Sequence, residues 1–130
     1  MKINGLLDRV KLGATDVVVS RLAWGMWRFR GDDLGHARAL VEAAFDAGIN
    51  LFDTADIYGF NGKNGFGNAE GLLGRLFAAD PGLRRKMVLA SKGGIVPGVP
   101  YDSSADYLVA ACEASLRRLG TDHLDLFQVH

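Results

Sequence analysis

Four side chains able to hold or move a proton stand at or just beyond the ends of apolar runs: Asp53, Tyr58, Lys92 and His130. Asp53 closes the run Ile49-Asn50-Leu51-Phe52-Asp53, and Tyr58 follows it closely. Lys92 closes Met87-Val88-Leu89-Ala90-Ser91-Lys92, and His130 closes Leu124-Asp125-Leu126-Phe127-Gln128-Val129-His130. The set makes sense if a tyrosine is the acid. A free phenol keeps its proton up to about pH 10, too firmly to protonate an alkoxide well at neutral pH. A neighbouring ammonium favours the phenolate, and a carboxylate holds that ammonium in place. A histidine can then hydrogen-bond an oxygen and polarise it.

Taken singly, these residues have plainer readings: Asp53 caps a loop and Tyr58 packs on a rim. Lys92 argues for the set, because an unpaired ammonium at the end of an apolar strand is costly to bury. Asp56 reads as a loop residue rather than a second acid. Glu70 reads as a helix-start acid that suits the dipole and steadies the glycine-rich loop. Asp125 opens a strand at the opposite end, where polar residues serve stability. His36 and His123 fall on surface segments. Cys112 lies on an apolar helix face as core. Arg75, Arg84, Arg85 and Lys86 read as a solvated basic face. No His, Asp or Glu cluster has metal spacing, so no metal site is expected. A metal-dependent barrel hydrolase is the alternative reading of Asp53, Lys92 and His130.

The elements that must position these groups alternate. Residues 8–22 form two short strands around Gly13-Ala14-Thr15-Asp16, a hairpin, and Leu22-Ala23-Trp24-Gly25-Met26 is the first core strand. Asp32 and Asp33 precede a helix carrying Ala37, Leu40, Val41, Ala44 and Phe45, with Gly48 just past its end. After the loop GFNGKNGFGN, Asn68 caps a helix with Leu72, Leu73, Leu76 and Phe77, which Pro81-Gly82 ends. Ser103 or Ser104 caps a third helix, closed by Gly120. Strands alternating with helices imply parallel βαβ units. The first βα turn, GMWRFRGDD, lacks the glycine fingerprint of a dinucleotide-binding Rossmann unit.

Composition narrows the partners. Lysine plus arginine and aspartate plus glutamate both number 15, a net charge of zero, which gives no electrostatic case for nucleic acid or an anionic membrane. A single cysteine leaves no internal disulfide. No apolar run spans a bilayer, and the charged N-terminus does not read as a leader. The expectation is one domain over residues 1–130 in a cytoplasmic protein.

FDTADIYG, NAEGLLG, ASKGG and SLRRLGTDHLDLFQVH, in that order, closely resemble the aldo-keto reductase superfamily, from about Val10 to His130. The resemblance implies the N-terminal half of a (β/α)8 barrel: four parallel strands with three helices, preceded by a short β-hairpin. It implies reduction of a small-molecule aldehyde or ketone to an alcohol, with Tyr58 as general acid. Lys92 is then the cation favouring the phenolate, Asp53 its partner, and His130 orients the carbonyl or assists proton transfer. The hydride donor implied is NADPH, with NADH as the second option, lying across the barrel mouth. Gly25, Met26 and Trp27 would touch it together with Asp53, and Trp27 would also wall the substrate pocket. The family's commoner Gly-Thr-Trp or Gly-Thr-Tyr has a hydroxyl where this chain has Met26, which leaves backbone contact there.

A complete barrel takes about 250 residues and eight βα units, whereas this sequence stops at its fourth strand. Four strands alone leave open edges and half an apolar interior. Self-association through those edges is therefore expected. The alternative is an inactive half-barrel fragment, or a binding or scaffold module completed by a second copy or chain.

Overall fold

The computed structural model describes residues 8–130. Residues 1–7, where a leader would begin, lie outside them. The hairpin pairs β1 (Arg9–Lys11) with β2 (Val18–Ser20), antiparallel, Val10 opposite Val19. Its turn closes through Leu12 N–H on the Val17 carbonyl and Thr15 Oγ1 on the Leu12 carbonyl.

Then come β3 (Ala23–Gly25), α1 (Leu34–Asp46), β4 (Leu51–Asp53), α2 (Asn68–Ala79), α3 (Pro81–Arg85), β5 (Val88–Gly93), α4 (Ala105–Leu119) and β6 (Leu126–Val129). The last four strands form one parallel sheet in the order β3-β4-β5-β6. Sequential parallel neighbours joined by helices are what the alternating pattern requires. The register sets Gly25 beside Asp53, Asp53 beside Ala90, and Lys92 beside Gln128.

Local chemistry sets the helix ends. Asp33 accepts from His36 N–H at the start of α1, and Ser104 accepts from Tyr107 N–H at the start of α4. Gly48, at φ +87°, closes α1: its N–H reaches the Phe45 carbonyl, and Ile49 N–H reaches that of Ala44. The core gathers Phe52 and Leu89 from the sheet with Val41 of α1, Leu72, Leu73 and Leu76 of α2, and Leu119 of α4. Trp24 meets both Phe29 and Phe52 edge-on at 5.6 Å. No helix among the described residues is long and apolar enough to cross a membrane.

Among the described residues, four helices stand where three are expected. Pro81 starts the short α3 instead of ending α2, because Asp80 accepts from Gly82 N–H and proline suits a first helical turn. Asn68 does not cap α2. Gly67 holds that position at φ +82°, and the Asn68 amide instead bonds both the N–H and the carbonyl of Gly31. Cys112 is only half-buried, with Ala111, Ser115 and Leu119 forming the inner face of α4. Arg84 leaves the solvated basic face. Its guanidinium reaches Thr121, the Met87 and His123 carbonyls, and Asp125, which also accepts from Leu89 N–H. That binds the start of β5 to the start of β6, as Asp125's stabilising role requires.

Candidate active site

β4 and β5 deliver Asp53 and Lys92 to one end of the sheet. Lys92 Nζ donates to Asp53 Oδ1 at 2.8 Å and to the Thr54 carbonyl at 2.9 Å. Gln128 Nε2 donates to the same Asp53 oxygen at 3.1 Å. The lysine side chain is 11% exposed and the aspartate 35%, so the pair is sheltered yet open on one side. An ammonium this deep needs such partners.

The chain after β4 continues the ladder before it turns. Thr54 N–H meets the Ala90 carbonyl at 2.9 Å, and Asp56 N–H meets that of Lys92 at 3.1 Å. Tyr58 N–H then bonds the Ala55 carbonyl. Gly59 follows at φ +95°, where an added Cβ would stand 2.7 Å from Asn68 Cβ. Both the conformation and the space call for glycine.

The turn aims Tyr58 back over the pair. Lys92 Nζ lies 4.9 Å from the centre of the phenol ring, and the His130 ring meets that ring at 5.9 Å. All four expected side chains therefore converge. His130 N–H is fixed on the Gly93 carbonyl, while its Nδ1 is buried without a hydrogen-bond partner among the described residues. Burial lowers the imidazole below its usual pKa, and the Lys92 charge does so too, against the pull of Asp53. His130 is thus neutral at pH 7, fit to exchange hydrogen bonds without adding charge.

The first βα turn divides its three residues. Gly25 sits beside Asp53, and a Cβ there would meet nothing within 4 Å among the described residues. Met26 is fully buried; its N–H reaches the Asp53 carbonyl and its carbonyl accepts from Phe29 N–H. It backs the site rather than lining it. Trp27 is 67% exposed and borders an open depression of about 400 Å³ with Arg28, Arg30, Gly59 and Phe60.

Sequence reasoning missed Gln128 and the Thr54 carbonyl. Gln128 was findable, because it lies two residues before His130 and so shares its strand face. Glu70 stands in the first turn of α2 as expected, but its full burial between Ser91 and Arg118 was not foreseen. Asp56, read as a loop residue, is 1% exposed.

A second open depression, about 560 Å³ and lined by Phe77, Arg84, Arg85, Thr121 and His123 among others, lies at the other end of the strands. It is remote from the four convergent groups.

Comparison with known proteins agrees with the geometry. The family model described as "Aldo/keto reductase family" matches residues 21–130. The chain is 57% identical to a 6-dehydroglucose reductase of Novosphingobium aromaticivorans, covering 92% of this chain and 40% of that protein. It is 41% identical to a 6-dehydroglucose reductase of Agrobacterium fabrum, covering 86% and 40%. Among solved structures, an aldo-keto reductase from Bacillus halodurans in its holo form superposes with a TM-score of 0.75 at 33% identity, over 94% of this chain and 39% of that one. The chain thus spans about two-fifths of the length of these relatives. Its four parallel strands correspond to half of their (β/α)8 barrel. This chain belongs to the aldo/keto reductase family.

Proposed function

We propose that this chain supplies the proton-handling half of a nicotinamide-dependent carbonyl reductase, with Tyr58 as the acid that protonates the oxygen of an aldehyde or ketone. One observation carries the reading: Lys92 Nζ is held by Asp53 at 2.8 Å while lying 4.9 Å from the Tyr58 ring. A cation fixed this close to the ring favours the negative charge that loss of the proton would leave on it. Gln128 donates to Asp53 and helps hold it on Lys92, and neutral His130 offers its ring to the substrate oxygen beside Tyr58.

The residues present fit one end of a nicotinamide cofactor. Gly25 leaves open space next to Asp53, and the exposed Trp27 ring stands at the same mouth. Gly25, Trp27 and Asp53 would hold that end; Met26 would support it from the core. The bound cofactor, NADPH or NADH, supplies the hydride that reduces the carbonyl carbon. The two relatives named for 6-dehydroglucose support a small polar sugar-derived aldehyde as substrate.

The test is Tyr58→Phe in the protein as the cell makes it. Carbonyl reduction should fall by about 1000-fold or more while NADPH binding, followed by fluorescence, is kept. Turnover that survives the substitution would remove Tyr58 from this role.

The free edge of β6 favours a companion strand, since Val129 there is 64% exposed among the described residues. That strand comes from the same protein or from a second copy. The molecular mass in solution distinguishes the two, and a dimer would favour the second copy.

A further inference from the structure

We propose that Asp56, Glu70 and Arg118 form a positioning network behind the reacting groups. It holds the Tyr58 turn against the strand that carries Lys92, and its grip changes when Asp56 gains or loses a proton. The inference rests on Tyr58 being the proton donor.

The network lies on the helix side of β5. Ser91 faces that side, so Lys92, its neighbour on the strand, faces the other. Glu70 is fully buried, accepts from Ser91 Oγ at 2.6 Å and from Arg118 Nε at 2.7 Å. Arg118 also reaches Ser115 Oγ at 3.4 Å and lies 5.7 Å from the Phe66 ring centre. A Cβ added at Gly67 would stand 2.5 Å from Arg118 Cδ, so the loop after Tyr58 lies flat on this arginine.

Asp56 joins that platform to the reacting groups. Its N–H is bonded to the Lys92 carbonyl, and its own carbonyl accepts from Gly67 N–H at 2.7 Å. Two residues on, the Tyr58 carbonyl accepts from Ala69 N–H at 3.1 Å. The turn is therefore pinned on one side to the Lys92 strand and on the other to the loop resting on Arg118.

The Asp56 side chain is the odd member. It is 1% exposed, and Oδ1 has no hydrogen-bond partner among the described residues. A structural role alone would be better served by an amide, because a buried orphan carboxylate is costly. The groups facing it are Glu70 from α2, Arg118 and Tyr107 from α4, and, through Tyr107, Asp102 ahead of α4. β5 presents Gly93, where a Cβ would stand 3.1 Å from Asp56 Oδ2. Burial, then the charge of Glu70, raise Asp56 to about 6, against Arg118. Glu70 alone is ion-paired with Arg118, and the Asp56 carboxylate, buried beside them without a partner for Oδ1, loses its charge in mild acid.

The test follows the Tyr58 ring by NMR in the protein as the cell makes it, with labelled tyrosine assigned by loss of the signal in Tyr58→Phe. The wild-type ring signal should shift with a midpoint near pH 6. Because the titrating His130 ring touches Tyr58, the comparison is made in a His130→Gln background, where the ring signal should still shift near pH 6 and adding Asp56→Asn should abolish the shift. Loss of the shift in His130→Gln alone, or its persistence in the double variant, overturns the proposal. Should Asp56→Asn fail to fold, the Asp56 carboxyl carbon is titrated in His130→Gln, where its midpoint must coincide with that of the Tyr58 ring. Separate midpoints overturn it equally. In turnover, Asp56→Asn should remove the inflection near pH 6 from kcat and leave KM within about twofold. A change in KM alone counts against a positioning role. Absence of turnover in the wild type would count against the reductase reading, while the ring titrations still decide the network.

Discussion

The ring of His130 meets the ring of Tyr58 edge to face, 5.9 Å between centres and 83° between planes. The contact joins the end of β6 to the turn after β4 across the intervening β5. It keeps the imidazole away from water and close to a cation, which is why its pKa falls.

A proton on His130 therefore opposes the folded state. A base whose folded pKa is depressed binds fewer protons folded than unfolded, so stability is unaffected above about pH 6.5. It falls as the pH drops through that value toward the folded pKa. Urea denaturation across this window should show the wild type losing stability relative to His130→Gln. The imidazole midpoint by NMR should lie below 6.5; a midpoint above it would contradict the buried neutral ring.

Asp53 and Lys92 should behave as a coupled pair. Asp53→Asn leaves Lys92 with the Thr54 carbonyl as its remaining fixed acceptor. Because Asp53 is a third exposed, the loss of stability should be modest, about 1 kcal/mol. Carbonyl turnover should fall much further, by about 100-fold. Adding Lys92→Met should cost less than the sum of the single changes, read from a double-mutant cycle. Strict additivity would deny that the 2.8 Å contact couples them.

What the sequence revealed depended on how locally each feature is encoded. The alternation of strands and helices, the Asp33, Ser104 and Gly48 helix ends, and the hairpin are written in short windows, and all appear in the structure. The convergence of Asp53, Tyr58, Lys92 and His130 followed from strand ends sharing one face. The burial of Glu70 was illegible because its partners, Ser91 and Arg118, lie 21 and 48 residues away. Asn68 misled for the same reason: it looks like a cap, but Gly31 competes for its amide from 37 positions upstream. That Gln128 shares the face of His130 was legible, but its bond to Asp53, 75 residues away, was not.

Asp56 gives a pH signature of the opposite sign to that of His130. Its folded pKa of about 6 exceeds the ordinary 3.8, so the folded state holds the proton more tightly. Stability then falls as the pH rises from about 4 to about 6 and stays reduced above. Asp56→Asn removes that penalty. At about pH 7.5 the variant should exceed the wild type by about 2 kcal/mol, and the difference should shrink toward pH 4. An equal gap at both pH values would mean that Asp56 does not titrate as its burial requires.

Two glycines on α2 set helix propensity against packing. Alanine is favoured over glycine inside a helix by about 1 kcal/mol, and both Gly71 and Gly74 lie inside α2. At Gly71 an added Cβ meets nothing within 4 Å among the described residues. At Gly74 it would run into the Arg118 carbonyl oxygen and stand 3.0 Å from the Leu119 carbonyl carbon. Those are backbone atoms of α4, which cannot swing aside as a side chain would. Gly71→Ala should therefore raise stability by up to about 1 kcal/mol. Gly74→Ala should lower it by about 2 kcal/mol, because overpacking outweighs the propensity gain. Pushing α4 away also moves Arg118 from Glu70, so Gly74→Ala should disturb the Tyr58 ring signal while Gly71→Ala leaves it unchanged. Thermal unfolding of the pair, with that spectrum alongside, checks both halves; equal effects at the two positions would remove the close α2–α4 approach as the cause.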